Sequence, residues 1–282
     1  VRLAPDADLQ RIAALTPGFA GAELANVVNE AALLAGRRRK EAVGMAELSE
    51  AVERVVAGLE KKNRRMNVRD KEIVSHHEAG HALVAEVLPT TDRVHKVSMI
   101  PRGLGALGYT MQIPLEDRYL LTRAELMDRV TVLLGGREAE LLIFGDVSTG
   151  AQDDLERATS MAQRMVMQFG MSRVLGPQVV GVETMREGRL LPGLALPHER
   201  ATSERTQEIV DGEVAELLGR ASRRAAQVIG HNREQLEALA ARLREKEILE
   251  GAELSTLLAG ATTPPALGDL DERMWQPEAV RH

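Results

Sequence analysis

Between His76 and His81 the chain reads HHEAGH, which puts three imidazoles and one carboxylate into six residues. His77, Glu78 and His81 have the H-E-x-x-H spacing. On a helix, side chains four residues apart point the same way, so two imidazoles can share one metal ion while the glutamate, one step round, takes a proton from water held beside it. A bound zinc lowers the pKa of such water to about 7, and Glu78 as general base would then direct it at a carbonyl carbon. The expected chemistry is zinc-assisted hydrolysis with one Zn2+ per chain. The same residues also fit a helical adaptor whose metal is structural. A closed, four-coordinate protein site would mark the adaptor, and three protein ligands plus water would mark the enzyme.

The elements around the motif must hold it inward and supply a third ligand. At about 100° per residue, His77 and His81 share a helical stripe with Ile73, Val84 and Leu88, so both rings face the interior. His76 is rotated off that stripe and is read as a bystander. Gly80 costs a helix about 1 kcal/mol relative to Ala and marks the close approach of another segment. Downstream, Asp153, Asp154 and Glu140 are the candidate third ligands. A helix is expected from Thr149, with Gln152 completing a T-x-x-Q capping box, to about Phe169. Asp154 is in phase there with Ala158, Met161 and Met165, an apolar seam. Asp153 is in phase with Arg157, Ser160 and Arg164, where it can pair with Arg157. Asp154 is therefore the expected ligand, since a metal would satisfy an otherwise costly inward carboxylate. Another helix is expected from the Thr122/Glu125 capping box to Phe144. On it Glu140 shares a face with Leu126, Leu133 and Gly136, and it is expected to accept the free ring N–H of a ligand histidine.

The 282 residues are 44% hydrophobic, enough for one large or two modest domains. One Trp, two Tyr and three Phe leave aliphatic residues and Met to build the core, which favours helix packing over a large sheet. The expected class is mainly α with a small sheet, from VHKVSMIP (Val94 to Pro101) and LGYTMQIP (Leu107 to Pro114) around an RGLGA turn. Residues 1–58 read as a small helical unit in which Leu24, Val27, Val28, Ala31, Leu34 and Ala35 form a buried stripe. A boundary is expected at Gly58, ahead of a charged run. The main unit spans 59–260, with an unpatterned loop over 183–201 and a closing helix capped by Asn232 and Gln235. A Pro-rich tail, expected to be disordered, covers 261–282. The net charge of −6 shows no basic stripe, so nucleic acid is not an expected partner. Zero cysteines confine any metal to His, Asp and Glu. No uncharged apolar run approaches the ~18 residues of a spanning helix, and VRLAPDADLQ resembles no signal peptide, so this stretch is expected to be a soluble fragment of a longer protein.

Taken in order, HEAGH, VSMIPRGLGALGYTMQIPLEDRYLLTRAEL, LLGGREAELLIFG and STGAQDDLERAT resemble the peptidase domain of the FtsH family of ATP-dependent, membrane-anchored zinc metalloproteases. LTPGFAGAELANVVNEAALLA is similar to the helical lid of that family's AAA+ ATPase module. The resemblance implies an AAA+ lid over 1–58, a zinc peptidase domain over 59–260, homo-hexameric rings and unfolded or membrane-extracted polypeptide as substrate. It also implies a bacterial inner membrane, or an organellar equivalent, anchored through N-terminal segments absent here, with this part facing the cytoplasm. It selects Asp154 as the third ligand, the acid just before the Leu of DDL. No phosphate loop is present, so ATP and Mg2+ are expected only in the full-length protein. Gly21 and Ala22, in GAEL, would lie near the nucleotide in an incomplete site. Where the family usually has two adjacent glutamates, this chain has Glu140 followed by Leu141. An inactive homologue is disfavoured by the intact His-Glu-His set.

Overall fold

With aromatic residues scarce, Leu, Val, Ala and Met must fill the interior, and they do so along helix seams. A computed structural model describes residues 1–58, 66–100, 109–112, 120–181 and 202–265. At the N-terminus lie α1 (Leu9–Leu15), α2 (Gly21–Arg37) and α3 (Met45–Ala57). They close over Ile12, Val27, Ala31, Leu34, Leu48 and Val52. Leu24 and Val28, expected on the buried stripe, are exposed. The reason is that α2 meets α3 along the narrower seam of Val27, Ala31, Leu34 and Ala35. Glu47, fully buried in α3, accepts from Arg38, Lys40 and the Gly44 N–H, and so ties the α2–α3 connection. Gly58 ends α3 at a φ of 84°, a left-handed conformation that suits glycine.

The remainder is built on α4 (Val68–Val87), α5 (Arg123–Phe144), α6 (Gln152–Met167), α7 (Glu204–His231), α8 (Arg233–Lys246) and α9 (Gly251–Leu258). Asn67 opens α4 by accepting the Asp70 N–H, and Thr122 and Glu125 form the expected reciprocal box at the start of α5. Three antiparallel strands in the order β2-β1-β3 flank the helices: β1 (Val94–Ser98), β2 (Tyr109–Gln112) and β3 (Ile248–Glu250). The sequence pattern marks neither the third strand nor α9. Three residues are too short to show alternation, and β3 is set by pairing Leu249 with Val97. Asn232 precedes α8 as expected but does not cap it. Its side chain is turned to the chain after α9, donating to Thr262 O and accepting the Thr262 N–H, while Gln235 donates to Gly260 O. The RGLGA turn, the 183–201 loop and residues 266–282 of the expected tail lie outside the described residues. Among the described residues no helix is long and apolar enough to cross a membrane.

The site depends on how closely α4 and α5 cross. A Cβ on Gly80 would lie 2.5 Å from Gly135 O and 2.7 Å from the Ala139 Cβ, so the helices touch at backbone distance. Gly80→Ala would gain about 1 kcal/mol of helix propensity. Forcing the helices apart costs about 1–3 kcal/mol or more. A net loss of stability is expected, read as a lower midpoint in denaturant unfolding; an unchanged or higher midpoint would refute the close crossing.

Candidate metal centre

His77, Glu78 and His81 lie in the buried middle of α4. Each imidazole is held from behind. His77 Nδ1–H donates to Glu140 Oε1 at 2.7 Å, and His81 Nδ1–H donates to Val132 O at 2.8 Å, both acceptors being on α5. With Nδ1 thus committed, each ring in its neutral form turns the lone pair of Nε2 towards the other. The two Nε2 atoms are 3.0 Å apart, and Asp154 Oδ2 lies 3.2 Å from each. Tetrahedral ligands at about 2.0–2.1 Å from zinc are separated by roughly 3.3 Å, so these donors fit around one ion. Two lone pairs and a carboxylate oxygen aimed at one point would repel each other without a cation or proton among them.

The electrostatics follow from that convergence. Burial opposes a charged His77, but Asp154 and Glu140 outweigh it and push the ring up to about 10. Burial would likewise raise the Asp154 carboxyl, yet His77 and His81 hold it well below the usual carboxylate range. Glu140 is held down against its burial by His77 and Ser148. Glu78, by contrast, is raised by burial.

Asp154 sits in the first turn of α6, earlier in the helix than the spacing implied. The expected Thr149/Gln152 box does not form. A 3-10 turn over Thr149–Ala151 precedes α6, so the Gln152 N–H goes to the Thr149 carbonyl, and Ser148 caps the turn at Gly150. Asp153 points outward, exposed and 3.8 Å from Arg157. Glu140 does more than its helical face implied. While Oε1 holds His77, Oε2 accepts the Ser148 N–H at 2.6 Å, so one carboxylate aligns a ring and the turn that delivers Asp154. The neighbouring departure, Leu141, is exposed. His76 is buried but separate, with Nδ1–H donating to Glu72 O and its ring edge-on to Phe144. Gly21 and Ala22 are exposed at the start of α2, where Glu23 accepts the Ala20 N–H. A cleft of about 220 Å³ opens over the donors, walled by Ile73, Val74, Val132, Leu133 and β2. Thr110 of β2, unnoticed in the sequence, reaches Glu78 Oε2 at 3.2 Å.

Glu140→Gln tests the role of that carboxylate. His77 and Ser148 both donate, and an amide offers them only one acceptor. Zinc affinity is expected to fall about 10–100-fold in chelator competition. Unchanged affinity would remove Glu140 from the metal centre.

Residues 64–257 match peptidase family M41, and residues 6–50 match the AAA+ lid domain family. Among curated proteins, the ATP-dependent zinc metalloprotease FtsH of Ralstonia pickettii is 55% identical over 265 residues, covering 94% of this chain and 37% of that protein. The protein of the same name from Syntrophobacter fumaroxidans is 54% identical over 254 residues, with 90% and 39% covered. FtsH 4 of Synechocystis is 47% identical over 267 residues, with 95% and 42% covered. The chain thus spans about two fifths of the length of these relatives. Because the match from 64 to 257 runs through every element that carries the converging donors, the chain belongs to peptidase family M41.

Proposed function

We propose that this chain is the proteolytic part of an ATP-dependent zinc endopeptidase, with His77, His81 and Asp154 as zinc ligands and Glu78 as general base. The observation that carries the reading is the meeting of three donor atoms from α4 and α6, with the buried Glu78 beside them in an open cleft. Bound there, zinc supplies a Lewis acid that acidifies water and polarises the scissile carbonyl. Glu78 takes the proton from the attacking water as its oxygen adds to the carbonyl carbon. It returns the proton to the amide nitrogen as the C–N bond breaks, leaving a carboxylic acid and an amine, which settle as carboxylate and ammonium once the acid proton passes to the amine. Glu140 and the Val132 carbonyl keep both imidazoles in the tautomer that leaves Nε2 free.

The substrate would be unfolded or threaded polypeptide. Strand β2 stands at the end of the sheet beside Glu78, and an extended chain could add to it by backbone hydrogen bonds, which selects little for sequence. Residues 1–58 would be the AAA+ lid, with Gly21 and Ala22 near a nucleotide completed by the rest of the ATPase. Residues 59–260 would be the peptidase and 261–282 a tail. The names of the relatives support ATP dependence, and the resemblance to the FtsH family implies a homo-hexamer anchored in a membrane, with this part on the cytoplasmic side.

The test is a zinc determination combined with cleavage of casein and of a short peptide, with and without chelator. One zinc per chain and chelator-sensitive cleavage are expected. A zinc-loaded protein that cleaves neither substrate would favour the adaptor with a structural metal.

A further inference from the structure

Thr110 is outside the donor set, yet its hydroxyl lies 3.2 Å from Glu78 Oε2 and 3.4 Å from Glu78 O. The preceding residue, Tyr109, faces the other side of the sheet, as neighbours on a strand must. Its hydroxyl donates to Glu53 Oε2 at 2.8 Å, and Glu53 belongs to α3, the helix that begins inside the match to the lid family and runs past its end at residue 50. Glu53 Oε1 also accepts from Lys96 Nζ at 2.7 Å. Lys96 sits on β1, two residues before Ser98, the partner of Tyr109, so Lys96 and Tyr109 share a face of the sheet. The Lys96 and Glu53 side chains are only 11% and 12% exposed, so this ion pair is shielded from solvent and geometrically specific. A four-residue strand is thereby fastened to α3 on one face and to the buried carboxylate of the peptidase site on the other.

We propose that β2 couples the lid to Glu78: Glu53 sets the position of the strand through Tyr109 and Lys96, and Thr110 of that strand aims the Glu78 carboxylate for proton transfer. Thr110 is a positioning residue, and the inference rests on Glu78 being the base. A carboxylate turns freely about its last torsion unless one oxygen is held. Fixing Oε2 through Thr110 leaves Oε1 to meet the water proton in a defined direction, and a misplacement of about 1 Å can cost on the order of a hundredfold in rate. A displacement of the lid that moves α3 would pull on Tyr109 and reach Thr110 one residue later, within one pleat of the strand.

The experiment uses the zinc-loaded protein and a short fluorogenic peptide that needs no unfolding. Thr110→Val, which keeps shape and strand propensity, is expected to lower kcat about tenfold with KM and zinc content unchanged, as for loss of one hydrogen bond to a charged group. Thr110→Ser should restore most of the rate, which a purely structural role would not explain. Glu53→Gln should lower kcat in the same direction, and adding it to Thr110→Val should cause little further loss, because both act through one path. Wild-type kcat in Thr110→Val, or full additivity with Glu53→Gln, would overturn the coupling. Glu78→Gln separates the two levels: if that variant still cleaves, the base assignment has failed. If Glu78→Gln is inactive and Thr110→Val is wild type, only the coupling has.

Discussion

Glu78→Gln is expected to retain one zinc per chain and to lose peptide hydrolysis by about 10²–10⁴-fold in kcat. The substitution leaves His77, His81, Asp154 and their hydrogen bonds in place, because those bonds are made to one another, to Glu140 and to the Val132 carbonyl rather than to Glu78. Its carboxylate accepts from the Thr110 hydroxyl, which an amide oxygen can still satisfy. What disappears is a basic oxygen able to take a proton. Zinc content by atomic absorption and initial rates on a short peptide check both halves. Substantial cleavage by the metal-loaded variant would remove Glu78 from the mechanism, and loss of zinc would make it structural.

The paired variants Asp154→Asn and Asp153→Asn are expected to differ sharply although the residues are adjacent. Asp154 Oδ2 stands 3.2 Å from each Nε2, so losing its charge would remove one of the three proposed ligands. Zinc affinity should fall by more than the ~10–100-fold typical of a residue that only supports a ligand, and cleavage should fall with it. Asp153 is 66% exposed and its pair with Arg157, at 3.8 Å, contributes about 0–1 kcal/mol at most. Asp153→Asn should bind zinc and cleave as the wild type does. Chelator competition alongside peptide hydrolysis reads both variants. Zinc loss confined to Asp153→Asn would refute the assignment of Asp154.

Much of the candidate site is legible in the chain because helical periodicity records which side of a helix is buried. The phase of His77 and His81 with Val84 and Leu88, the inward Asp154 against the outward Asp153, and the crossing at Gly80 are all consequences of about 3.6 residues per turn. The Thr122/Glu125 box is equally local, since both partners lie within one turn. Periodicity names a buried face but not what it meets. The Val132 carbonyl that fixes His81 carries no mark, as every residue has one such acceptor. Glu140 could be placed near a histidine, but its second bond to Ser148 depends on how the chain turns after α5. Thr110 and Glu53 reach their partners only because a short sheet lies between α3 and α4, and β3 exists only by pairing with β1 across more than a hundred residues. The capping boxes expected at Thr149 and Asn232 failed for the same reason. A 3-10 turn and a returning chain end offered those groups other partners, and a residue's hydrogen bonds go to whichever partner the tertiary fold brings nearest.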